Sequence, residues 1–88
     1  MDLLRTMRLF ACVAAEGSLT GCARALGLPL DEVARGIDEL EDHLGAGLLR
    51  HGRPGLVPTT AGQLYLQRVK RILAALDQAD AMARREAD

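Results

Sequence analysis

The chain has 88 residues, room for one small domain with a modest core that gains from association with a second copy. A net charge of −1 at pH 7 excludes attraction of nucleic acid or anionic membrane by overall charge, so any basic surface has to be local. Phe10 and Tyr65 are the only aromatic residues; a core left to Leu, Val, Ile and Ala suits packed helices better than a sandwich or barrel.

Cys12 and Cys22 fall in helix-like segments without metal-ligand spacing and read as reduced thiols of a cytosolic protein. No apolar run approaches the ~18 residues of a membrane span, and the N-terminus lacks a basic-plus-apolar signal pattern. The expected localisation is cytoplasmic, with no membrane partner.

In chain order, the first predicted helix runs from Asp2, as cap, to about Ala15. Leu3, Met7, Phe10 and Ala14 form one apolar face, and Glu16-Gly17 ends it. Ser18 stands at the N-cap of a short second helix, about Leu19 to Leu26, with Cys22, Ala23 and Leu26 inward. Gly27, Leu28 and Pro29 leave only a tight turn before the next helix, a helix-turn-helix arrangement. The third helix is expected to start near Asp31 as its cap, because Pro29 cannot lie in a helix interior. Val33, Ile37, Leu40 and Leu44 form its buried stripe, and Gly45 stops it.

Leu48 to Arg50 and Leu56 to Pro58 flank the turn-rich "HGRPG" and read as a small hairpin, or wing, with Pro58 suited to an edge strand. Thr59 or Thr60 caps a last helix running to about Arg85. Tyr65, Val69, Ile72, Leu76, Ala79 and Ala83 recur along it at steps of four and three, a seam for another helix. Leu66 and Leu73 widen this surface beyond what so small a domain can cover, which points to a homodimer. The charged tail "ARREAD" is expected to fray.

With these pieces in order, "MDLLRTMRLFACVAAEGSLTGCARALGL", "IDELEDHLGAGLL" and "LVPTTAGQLYLQRVKRIL" resemble the N-terminal winged helix-turn-helix domain of LysR-type transcriptional regulators. The DNA-binding domain of molybdate-responsive regulators shares the layout. The fold expected is mainly α: a winged helix-turn-helix with a small β-hairpin wing over 1–58, and a long C-terminal linker and dimerisation helix over 59–88. The resemblance implies a bacterial regulator domain that binds duplex DNA as a dimer, each copy reading a half-site. The third helix would enter the major groove and the wing would touch the backbone or minor groove. Full-length members continue into an effector-binding domain that this chain does not include.

The residues carried to DNA by the resemblance and by charge are Ser18, Thr20, Leu30, Asp31, Ala34, Arg35, Asp38, Arg50, His51 and Arg53; Arg24 is a further phosphate candidate. Those carried to the dimer interface are Tyr65, Val69, Ile72, Leu73, Leu76 and Ala79. The third helix departs from the family pattern. Between Pro29 and Gly45 it holds Asp31, Glu32, Asp38, Glu39, Glu41 and Asp42 against Arg35 alone. Asp31 and Glu39 each lie four residues from Arg35 and could pair with it. An acidic face is repelled by DNA except where a carboxylate accepts from a cytosine amino group. Two readings stay open: a DNA-binding domain with unusual base preference, or a scaffold that has lost DNA and works through protein contacts. Asp31 and Glu32 also suit the helix N-terminus for reasons of its dipole alone. No phosphate loop or nucleophile-and-base motif suggests an enzyme, no cofactor is implied, and His43, His51 and the cysteines lack metal spacing.

Overall fold

The computed structural model of the chain describes residues 1–87; Asp88 lies outside them. Four helices, α1 (Leu3–Glu16), α2 (Leu19–Leu26), α3 (Leu30–Leu44) and α4 (Thr60–Arg85), surround one antiparallel hairpin of β1 (Leu49–His51) and β2 (Leu56–Pro58). The charged tail is helical as far as Arg85.

Local chemistry sets the helix ends. Asp2 accepts the Arg5 N–H at 3.1 Å, Ser18 Oγ accepts the Gly21 N–H at 2.8 Å and Thr59 Oγ1 accepts the Gly62 N–H at 3.0 Å, each satisfying an otherwise orphaned donor of a first turn. Gly17, Gly27 and Gly45 close α1, α2 and α3 with φ of 74°, 67° and 66°, a conformation that costs glycine little.

The start of α3 differs from the expectation of an Asp31 cap. Pro29 is the capping residue, extended at φ −60° and ψ 143°, and makes no side-chain cap bond. Its carbonyl accepts from Glu32 and Val33, so the fixed φ of proline sets the cap two residues earlier. Asp31 and Glu32 therefore lie in the first turn, where negative charge favours the helix dipole.

The core is Leu9, Phe10 and Val13 of α1, Cys22 and Ala23 of α2, Val33, Ile37 and Leu40 of α3, and Leu48. Phe10 and Tyr65 bring α1 and α4 together with ring centroids 6.1 Å apart. Leu9 also covers Gly36 so closely that a Cβ there would overlap its Cδ1, which sets how near α1 and α3 approach. Two residues expected inside lie outside. Leu26 is about half exposed, at the rim of an apolar cleft with Leu9, Leu28 and Leu73, and Leu44 is exposed in the last turn of α3.

The first strand begins at Leu49, one residue later than expected. Leu48 is instead buried, with its N–H bonded to the Glu41 carboxylate at 2.7 Å. On α4 the sequence stripe divides between two directions. Val69 is fully buried in its own domain, which removes it from an outward seam; Leu66 and Leu73 are half-buried beside it. Tyr65 and Leu76 are half-buried, while Ile72, Ala79 and Ala83 are exposed together with Leu64 and Met82.

Candidate nucleic-acid interface

The short links between elements bring three of them to one side. Gly27, Leu28 and Pro29 alone connect α2 to α3, and the Leu28 N–H returns to the Ala23 carbonyl at 2.9 Å, finishing α2 tightly. The wing is fastened at three points. Leu56 N–H donates to the Gly17 carbonyl at 2.9 Å, at the corner between α1 and α2. Gly55 approaches that same carbonyl so closely that any Cβ would overlap it. Thr59 N–H donates to the Leu48 carbonyl at 2.9 Å, and Thr59 Oγ1 donates to the Gly47 carbonyl at 2.7 Å. Leu19, Ala34, Asp38, His51 and Leu56 consequently line a common cleft, formed by the start of α2, the middle of α3 and the two strands.

The outward face of α3 is a single stripe. Asp31, Arg35, Asp38 and Asp42 follow at steps of four, three and four, and all are exposed. Leu30 is half exposed at the start of the helix and Ala34 is half-buried at the cleft. Arg35 and Asp31 approach to 3.6 Å, a loose pair between two well-exposed groups that leaves most of the guanidinium donors free. Among the described residues no ion pair joins Arg35 to Glu39, so only one of the two expected partners is engaged.

The six acids of α3 are not equivalent. Glu32 pairs with Arg5 at 2.8 Å and ties α3 to α1. Glu41 accepts the backbone N–H groups of Leu48 and Leu49 at 2.7 and 3.3 Å and ties α3 to the wing. Asp31 meets Arg35. Among the described residues Asp38, Glu39 and Asp42 have no such partner.

Sequence reasoning missed the positioning roles of Glu41, Arg5 and Gly55. A signal for Glu41 existed: on a helical wheel it borders the buried stripe and does not oppose it. The contacts of Arg5 and Gly55 link segments distant in sequence, and no periodicity reports them.

At the wing, Arg50 pairs with Val57 and His51 with Leu56 in register, and Gly52 N–H bonds the Gly55 carbonyl at 2.8 Å around a cis Arg53–Pro54 peptide. Arg50, His51 and Arg53 are exposed. Ser18 is half-buried; its oxygen accepts from Gly21 while its proton stays available to donate. Thr20 and Arg24 are exposed on α2. Among the described residues no group of three or more His, Cys, Asp or Glu side chains could hold a metal ion, and no single helix is long and apolar enough to cross a membrane.

Residues 4–63 match the family described as "Bacterial regulatory helix-turn-helix protein, lysR family". The chain belongs to this LysR family. It is 37% identical over 84 residues to an HTH-type transcriptional repressor of Pseudomonas aeruginosa, covering 96% of this chain and 26% of the relative. It is 34% identical over 73 residues to the HTH-type transcriptional activator AaeR of Escherichia coli, covering 83% of this chain and 24% of that protein. The chain thus spans about a quarter of the length of these LysR relatives. Among solved structures it superposes on the BenM DNA-binding domain in complex with catB site 1 DNA, with a TM-score of 0.89 and 33% identity over 97% of this chain and 94% of the other. The CbnR DNA-binding domain in a DNA complex gives a TM-score of 0.86 and 28% identity, with complete coverage of both chains. The winged helix-turn-helix with its long last helix is the architecture of these LysR DNA-binding domains.

Proposed function

We propose that this LysR-family domain binds duplex DNA as a homodimer and serves in transcription control. The observation that carries the reading is the convergence of the start of α2, the outward stripe of α3 and the wing around one cleft, in a chain that superposes nearly end to end on domains solved with DNA. Arg35 reads guanine in the major groove through its free donors, and Asp38 accepts from a cytosine amino group. Leu30 and Ala34 offer apolar contacts to thymine methyls. Ser18 and Thr20 donate to phosphate beside the positive end of α2, and Arg50, His51 and Arg53 bring the wing to the backbone. Asp31 steadies Arg35. Ile72, Leu76 and Ala79, flanked by Tyr65 and Leu73, form the seam with a second copy.

The reading as a protein-contact module that has lost DNA is the weaker one. Glu32 and Glu41 hold the scaffold together and do not present an acidic docking face. The reading involves no enzymatic step and places the protein in the cytoplasm.

The test is fluorescence anisotropy on a mixed-sequence duplex across a salt series. Affinity is expected to fall on a log–log plot with a slope of about −0.9 per phosphate contact. Absence of binding at low salt by a dimer of confirmed mass would overturn the reading.

A further inference from the structure

The pair of Arg5 and Glu32 lies where the reading helix begins. Arg5 Nη2 stands 2.8 Å from Glu32 Oε2, and the two side chains are 51% and 41% exposed. One turn further along both helices, Leu9 of α1 covers Gly36 of α3. The two contacts thus advance together by four residues on each helix, and Arg5 stands beside the first turn of α3, the turn that exposes Leu30 and Asp31. Arg5 also lines one open depression with Arg35, whose other walls are Asp2, Glu32, Gly36 and Glu39. A cation of α1 therefore shares a surface with the arginine of the outward stripe, and its charge is engaged by an acid of α3.

We propose that Arg5 is a phosphate-contacting residue of the DNA interface and that Glu32 competes with the phosphate for it. The proposal rests on the DNA-binding reading given above and adds a contact from α1, an element that supplies none there. A phosphate oxygen offers a guanidinium the same charge-assisted hydrogen bonds as a carboxylate. The bond to Glu32 uses Nη2, and among the described residues Nε and Nη1 make no side-chain bond, so a phosphate can engage the free edge before the pair opens.

Three features make the exchange easy. An ion pair between groups this exposed contributes little, so opening it costs little. Glu32 keeps a favourable place without Arg5, because it lies in the first turn of α3 where the helix dipole favours an acid. Leu9 on Gly36, with Val33 and Ile37 in the core, keeps α1 and α3 in register when the pair opens. Arg8, the other arginine of α1, is the contrast: it pairs with Asp77 of α4 at 3.1 Å and does not line the depression of Arg35.

Anisotropy on a mixed-sequence duplex across a salt series is run on the parent, Arg5→Gln, Arg5→Lys, Glu32→Gln, the Arg5→Gln/Glu32→Gln double variant and Arg8→Gln, each shown to be folded by circular dichroism. Arg5→Gln should weaken binding and make the log–log slope shallower by about 0.9, one phosphate contact. Arg5→Lys, which keeps the charge, and Arg8→Gln should keep the parental slope. Glu32→Gln should tighten binding, and its gain should be about two- to fivefold larger with Arg5 present than in the Arg5→Gln background, the worth of an exposed pair. A pair that only braces the two helices would weaken binding in Arg5→Gln and Glu32→Gln alike, and that result overturns the proposal. Equal shallowing in Arg8→Gln overturns it too, since any lost cation would then do the same. A parent without DNA binding removes the DNA reading and this contact with it. A parent that binds while Arg5→Gln keeps its slope removes this contact alone.

Discussion

The Glu41 carboxylate accepts the Leu48 N–H at 2.7 Å and the Leu49 N–H at 3.3 Å, so that one acidic side chain of α3 holds the entry to the wing. Leu48 is 1% exposed, and water cannot replace this acceptor without opening the core. Glu41→Ala should therefore lower stability by about 1–3 kcal/mol, the cost of leaving a buried donor unsatisfied. Glu41→Gln, which keeps an acceptor oxygen, should lose less. Asp38→Ala, on the exposed face of the same helix, should stay within about 0.5 kcal/mol of the parent. Thermal unfolding of the three variants checks the order; a Glu41→Ala loss no larger than that of Asp38→Ala would show that this bond does not hold the wing.

Arg35 and Arg53 should fail differently. Arg35 lies on the outward stripe of α3, so Arg35→Ala should cost about 1–3 kcal/mol on the preferred site and much less on mixed sequence. Arg53 lies on the wing loop, so Arg53→Ala should weaken binding to all sequences alike and reduce the salt slope by about one contact. Competition between a selected site and mixed-sequence duplex measures both. Equal losses of discrimination in the two variants would remove the division between reading helix and backbone-binding wing.

What the sequence made legible is what local physics determines. The caps Asp2 and Ser18, the glycine stops at Gly17, Gly27 and Gly45, and the inward Val33, Ile37 and Leu40 follow from propensity and period, whereas the choice of Thr59 over Thr60 as the last cap did not. Asp31 was misplaced as a cap because Pro29 could start the helix through its backbone alone. The net charge of α3 overstated its acidic face, because Glu32 and Glu41 face partners on α1 and at β1 that no spacing along the helix discloses. Val69 shares a heptad-like stripe with Ile72, yet a small change of direction around α4 puts one in the core and the other at the surface.

That difference separates folding from assembly. Ile72 is 42% exposed, so Ile72→Glu should leave the domain folded and convert a dimer to a monomer. Val69 is 0% exposed, so Val69→Ala should cost about 1–2 kcal/mol of stability through lost methyl burial while leaving a dimer able to form. Sedimentation or light scattering with a thermal melt distinguishes the two. A monomeric parent, or a glutamate variant with unchanged mass, would exclude the Ile72 seam.

Gly62 carries a steric prediction. A Cβ there would overlap the Leu48 carbonyl, a backbone atom already engaged by the Thr59 N–H. Helix propensity alone favours Gly62→Ala on α4, whereas the contact requires the start of α4 to move from the wing, at a cost of about 1–3 kcal/mol. A melt showing Gly62→Ala as stable as the parent would mean that α4 does not approach the strand so closely in solution.

Alkaline pH should loosen the core through Cys22. Burial first, then Cys12 and Glu16, raise its thiol from the ordinary 9.0 to about 12. Between these values the unfolded chain has released the proton and the folded chain has kept it. The unfolded state binds fewer protons, so stability falls as pH rises. The contribution is complete below the unfolded value and is lost as pH climbs through the folded one. Burial raises Tyr65 as well, so its phenol adds a loss of the same sign in the alkaline range. Denaturant midpoints measured upward from neutral pH should decline through this window, and Cys22→Ala should flatten the decline while Tyr65 keeps a residual slope. An unchanged pH dependence in Cys22→Ala would mean that the Cys22 thiol is not held protonated by the fold.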